Sequence, residues 1–186
     1  MVFLTLKRKS QEIIEMKRSD TRLKELRTVL EKGKPLLVEK AIGSLRDTEA
    51  FEGAIGLLIS YYDNSDNPHL RRVIENFMND IKDKDCREDI IAEIRKPWRN
   101  ETHSMIASSC WQSGLDYSAY TADFLKVFIE GDYSAALEAF TVIEEFAHEI
   151  EPLVRKEMID LLKKSTISPR SDKTALNREM IAVLSR

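Results

Sequence analysis

The sequence predicts an all-α fold, a right-handed α-α superhelix (solenoid) of about four to five helix pairs. Three observations carry that reading. Apolar residues recur at three- and four-residue spacing along most of the chain, the spacing that gathers them on one helical face. The same pattern returns with a period of about 33 residues. No stretch alternates apolar and polar residues between turns as a half-buried strand would; Val2 to Leu6, the nearest candidate, stands alone.

The repeat shows as columns. Ala41, Ile74, Ala107 and Ala139 align in one, and Leu45, Met78, Trp111 and Ile143 in the next. Both columns are expected in the core of second helices. Leu58, Ile91, Leu125 and Met158 keep the same step on the first helices. Each unit is helix, tight turn, helix, tight turn.

In chain order, residues 1–19 are expected to form a capping segment, with Ile13, Ile14 and Met16 lidding the first repeat. The repeat domain spans 20–164. Asp20 or Thr21 can cap a helix bearing Leu23, Leu26, Val29 and Leu30, stopped by Gly33. Pro35 opens the next, with Leu37, Val38, Ala41, Ile42 and Leu45 inward. A helix over 48–62 carries Phe51, Ile55, Leu58 and Ile59, and its apolar spacing continues through Gly53 and Gly56. The DNSDNP turn breaks it, and Pro68 starts a partner with Leu70, Ile74, Phe77 and Ile81. Residues 85–96 form the next first helix through Ile90, Ile91 and Ile94, ended by Pro97. Asn100 caps a helix carrying Ile106, Ala107, Cys110 and Trp111 that closes at Gly114. Residues 118–130 follow with Phe124, Leu125 and Phe128, ended by Gly131. The most regular helix runs over 132–150, with Ala136, Ala139, Phe140, Ile143, Phe146, Ala147 and Ile150 on one side. Pro152 starts a last unit with Val154, Met158, Leu161 and Leu162. Residues 165–186 read as a polar linker and a C-terminal helix over 174–185, either a far cap or a free tail, with Leu176, Met180, Ile181 and Leu184.

Composition agrees with this architecture. At 186 residues the chain can hide roughly 70% of its unfolded surface, enough for a core without disulfides or metal. Residues are 42% hydrophobic and 33% charged, which suits a helical protein. The net charge of −3 is uneven: twelve Lys and Arg face six Asp and Glu through Arg46, so the remainder is acidic. Cys86 and Cys110 form no CxxC and have no paired histidines; Cys110, on the apolar face of its helix, reads as a buried structural thiol, and this usage suits a reducing cytoplasm. No segment approaches the roughly 18 uncharged apolar residues of a membrane span, and Val2 to Leu6 is too short for a secretory signal.

The helix pairs over 20–164, with Ala or Ile in mid-second-helix, a large apolar residue four later and short Asp-, Asn- or Pro-bearing turns, resemble HEAT or armadillo-type repeats. Gly131 to Phe140, GDYSAALEAF, resembles a tetratricopeptide repeat, although the other second helices do not repeat its small residue and aromatic. Either resemblance implies a protein-binding scaffold with a concave face lined by second helices.

Chemistry finds little to assemble. Glu145-Phe-Ala-His148 has the E-x-x-H spacing of helical carboxylate metal sites, but no second copy exists to complete one. His69 and His103 stand at helix starts without a recognisable nucleophile and acidic partner. No catalytic residue, metal or cofactor is therefore expected. Column logic points elsewhere. Residues beyond the core column project together: Gly43, Asn76, Ser109 and Thr141, then Arg46, Asn79, Gln112 and Glu144. With Arg72 and Glu145 these form the expected partner-binding row, and Trp98 and Arg99 on an inter-helix turn form a possible rim contact. The expected partner is another protein or peptide. The alternative is nucleic acid, bound through Lys7, Arg8, Lys9, Lys17, Arg18 and Arg22 in the basic N-terminal third.

Overall fold

Every regular element among the described residues is helical. The computed structural model describes residues 19–32, 34–46, 53–165 and 172–186. The helices are α1 (19–32), α2 (Pro35–Arg46), α3 (Ala54–Asn64), α4 (Pro68–Asn79), α5 (Cys86–Ile94), α6 (Asn100–Ser113), α7 (Thr121–Glu130), α8 (Tyr133–Phe146), α9 (Pro152–Lys164) and α10 (Lys173–Leu184), with a 3-10 turn at Ser118–Tyr120. The chain divides into two compact units, Met1–Ile74 and Glu75–Arg186, the boundary falling inside α4. Most of the N-terminal segment expected as a cap, most of the linker, Gly33 and Phe51 lie outside the described residues.

In the first unit the periodicity selects most of the buried side chains: Leu26 and Leu30 of α1, Val38 and Ile42 of α2, Ile55, Leu58 and Ile59 of α3, and Leu70 and Ile74 of α4; Ala54 and Tyr62 are buried as well, while Leu23, Val29, Ala41 and Leu45, expected inward, are half-buried. Leu37 departs from expectation and is exposed, because α2 turns its Val38–Ile42 edge inward and Leu37 lies about 100° away. Gly53 also departs. It sits at the N-cap of α3 with φ 82°, outside the helix expected to run through it. A Cβ there would lie 3.3 Å from both Leu23 methyls, so glycine serves both the backbone and the packing. Asn67, one residue before the expected Pro68, caps α4 by accepting from the amides of His69 and Leu70 at 3.0 and 3.2 Å.

The second unit repeats this logic with more layers. Ile91, Leu125 and Met158 are buried, as their shared column requires, and so are Ala107 and Ala139 of the second helices. α6 and α7 both pack on α8, and α5 packs on α6 and α7. Side chains one repeat apart join equivalent helices. Arg95 of α5 grips Asp123 of α7 in a two-pronged pair at 2.8 and 2.9 Å, and the Tyr120 hydroxyl donates to Glu88.

Several helix ends differ from the sequence reading. α8 stops at Phe146 and passes through a turn before the buried Ile150, so the expected helix to 150 is one turn too long. Asn100 does not cap α6 but forms its first residue, after an extended Arg99. α9 buries Met158 and Leu162 while Val154 and Leu161 face outward; it packs against α7 and α10. The C-terminal helix is docked: α10 packs on α8 and α9 with Met180, Val183 and Leu184 buried. Its Lys173 ammonium donates to the carbonyls of Ile129 and Gly131 at 3.0 and 2.7 Å, neutralising the C-terminal end of α7.

Gly131 separates packing from propensity. A Cβ there would meet the Val127 carbonyl oxygen at 2.7 Å and the Ala135 Cβ at 2.8 Å, whereas one at Gly43 would meet nothing within 4 Å. Gly131→Ala should therefore lower stability by about 1–3 kcal/mol, and Gly43→Ala should leave it unchanged or raise it by up to about 1 kcal/mol. Urea denaturation followed by circular dichroism reads both.

Candidate functional site: the exposed face of α6 and α8

Two helices that bury their alanine columns against each other must present their remaining sides to solvent. On α6 that side carries Ser104, Ser108, Trp111 and Gln112; on α8 it carries Tyr133, Ser134, Leu137, Thr141, Glu144 and Glu145. The spacing of three and four within each set makes two stripes. Hydrogen bonds stitch them into one surface. The Ser104 and Ser134 hydroxyls lie 3.0 Å apart, and Trp111 Nε1 donates to Glu138 Oε2 at 2.8 Å. On the other flank Asn79 Nδ2 donates to Gln112 Oε1 at 3.0 Å, and Gln112 in turn donates to Ser108 Oγ at 2.8 Å. The sequence placed Asn79 and Gln112 in one row, and they touch.

Not all of the expected row survives. Ser109 is a correction: it is buried at 1% exposure and its hydroxyl donates to the Ile106 carbonyl at 2.7 Å. Its backbone direction points into the α6 packing seam, so it cannot meet a partner. Thr141 is half-buried and its hydroxyl donates back to Leu137, while Asn76, Glu144 and Glu145 are exposed. Arg46, Arg72 and Gly43 belong to the first unit and are exposed there.

Trp111 is the reverse correction. The repeat columns assign it to the core, yet it is 37% exposed. Its amphipathic indole keeps the N–H at the surface, where it donates to Glu138. Tyr133 and Leu137 join it at 43% and 38% exposure. Sequence reasoning passed over these two, although Tyr133 and Leu137 stand four apart on the polar side of α8. That spacing was the available signal.

Trp98 lies in a different place. It is half-buried and lines a cavity of about 300 Å³ with Ile94, Asn100, His103, Lys126 and Val127. Its Nε1 is buried without a partner among the described residues, and the Lys96 ammonium stands 5.9 Å from its ring centre. The neighbouring cations are engaged, Arg95 by Asp123 and Lys96 by Glu93 at 2.6 Å. Arg99 is exposed beside it.

The remaining polar groups have structural duties. His103 Nε2 donates to the carbonyls of Ile94 and Lys96 at 3.2 and 3.0 Å, closing the end of α5. The His69 ring faces the Glu39 carboxylate at 3.1 Å. Glu145 and His148 do not share a helical turn, because α8 has ended before His148, which faces Glu149 at 3.8 Å. Among the described residues no three His, Cys, Asp or Glu side chains converge as metal ligands. No described helix is long and apolar enough to cross a membrane. Of the basic residues considered for nucleic acid, Lys7, Arg8, Lys9, Lys17 and Arg18 lie outside the described residues, and Arg22 is in α1. Both cysteines are buried: burial pushes Cys110 up to about 12, and burial followed by Asp83, Asp89 and Asp85 pushes Cys86 up to about 11. Burial likewise raises Tyr117 far above the ordinary tyrosine value. The thiols are therefore held in their inert, protonated form.

No protein-family model, curated protein or solved structure matches the chain.

The thiols give a direct check. At pH 8 a group titrating near 11 is thiolate in only about one part in a thousand. Labelling with a thiol-specific disulfide reagent should be at least about a hundredfold slower in the folded protein than in urea. Raising the pH from 7 to 9 in the folded state should leave neither cysteine fully reactive. Rapid labelling of either would contradict its burial.

Proposed function

We propose that this chain is a non-catalytic interaction module of the helical-repeat (solenoid) type, HEAT- or armadillo-like, that binds another protein through the α6–α8 face. The observation that carries the reading is the exposure of Trp111, Tyr133 and Leu137 on the two packed helices α6 and α8, whose other exposed residues are small polar groups and carboxylates. Exposed aromatic side chains within a hydrogen-bonded polar surround have the composition of interface hot spots. The rigidity of the surface supports the same reading, since Ser104–Ser134, Trp111–Glu138 and Asn79–Gln112 hold it in place before any partner arrives. The packing of α5 on α7, whose buried Ile91 and Leu125 stand 34 residues apart, supports the repeat assignment. Nucleic acid fits this face poorly, because neither α6 nor α8 contains a Lys or Arg to meet phosphate.

The test is affinity capture from lysate, run with and without nuclease, comparing the native chain with the Trp111→Ala/Tyr133→Ala/Leu137→Ala variant. These side chains are exposed, so circular dichroism should show the variant folded. A discrete protein captured in both nuclease arms and lost in the variant is the expected result. Capture that vanishes with nuclease, or that the variant leaves intact, overturns the assignment of this face.

A further inference from the structure

Resting on the interaction reading above, the chemistry of the partner can be taken further. The exposed stripe of α8 changes character along its length. Tyr133 and Leu137 occupy its first half with Glu138 next to them, and Glu144 and Glu145 occupy its last turn. Beside the transition stands Trp111, held to Glu138. The carboxylates of Glu144 and Glu145 form no ion pair with any described residue. α6 and α8 supply no cation, and the last turn of α8 contains no basic residue. Two carboxylates in the last turn of a helix oppose its macrodipole, whose negative end lies there. They also repel each other and Glu138. A solvated surface gains nothing from this arrangement, and a cationic partner would relieve all of it.

We infer that the α6–α8 face takes a basic amphipathic segment of a partner protein, with its apolar side chains against Trp111, Tyr133 and Leu137 and its Lys and Arg side chains at Glu138, Glu144 and Glu145. The order of groups along α8 gives the segment a register. Leu137 and Glu144 are seven residues apart, so the apolar anchor and the cations are separated by about 10 Å. A segment of three to four extended residues, or about seven helical ones, spans that distance. Arg is favoured over Lys because its planar fork can engage two carboxylate oxygens and stack on the Trp111 ring.

A library of random twelve-residue peptides displayed on phage and selected on the immobilised full chain tests this. The expected consensus joins an aromatic or large aliphatic residue to two or more Lys or Arg at that separation. A synthetic consensus peptide should bind at least tenfold more weakly at 0.5 M than at 0.05 M salt. It should also lose at least tenfold on Glu138→Gln/Glu144→Gln/Glu145→Gln, and bind undetectably to Trp111→Ala/Tyr133→Ala/Leu137→Ala. An uncharged or acidic consensus, insensitive to salt but lost with the apolar variant, overturns the basic occupant and leaves the interaction face standing. No enrichment, or peptides that bind the apolar variant equally well, overturns both.

Discussion

Each described helix is only nine to fourteen residues long, too short to be stable alone in water. Its survival depends on burying one apolar stripe against a neighbour. That constraint organises the rest. A helix whose stripe must face two neighbours at once needs a small residue where the backbones approach and a large one where they part, which is what Ala107 and Ala139 beside Met78 and Ile143 supply in the second unit. Turns are then obliged to be short, and Asn67, Gly114, Gly131 and Asp132 provide them by capping, by left-handed backbone or by close approach.

The same constraint separates core from surface within one helix. On α6 Trp111 lies at the surface, and on α8 Tyr133 and Leu137 are exposed as well, while Ala107, Ala136 and Ala139 are buried. An aromatic residue displaced from a core would normally cost stability by exposing apolar area. Here its N–H donates to Glu138. The electrostatics point the same way. Arg95 and Lys96 are matched by Asp123 and Glu93 on the first-helix side, whereas the carboxylates of α8 form no ion pair among the described residues. The unmatched charge and the unburied aromatic area coincide on one face.

The docked α10 closes the other end of the second unit. Met180, Val183 and Leu184 cover α8 and α9, and Lys173 brings its charge to carbonyls that the end of α7 leaves unpaired. Burial lowers Lys173 relative to an ordinary lysine, opposed by Asp132 and Asp172. Leu153, Val154 and Leu161 remain outward on α9, where no further repeat follows in the described fold.

Much of this was legible in the sequence because it depends on period alone. The all-helical class, the buried columns Leu58–Ile91–Leu125–Met158 and Ile74–Ala107–Ala139, the burial of Cys110 and the contact between Asn79 and Gln112 all follow from residues that recur about every 33 positions. Helix ends were less legible. Gly53, Asn100 and the last turn of α8 depend on local competition among caps, which apolar spacing does not report. The surface was least so. Period places a residue on a side of its helix but says nothing of how much room the neighbouring helix leaves. Only the tertiary structure decided that Ser109 is buried and Trp111 is not, because that outcome depends on how the neighbouring helices pack against α6.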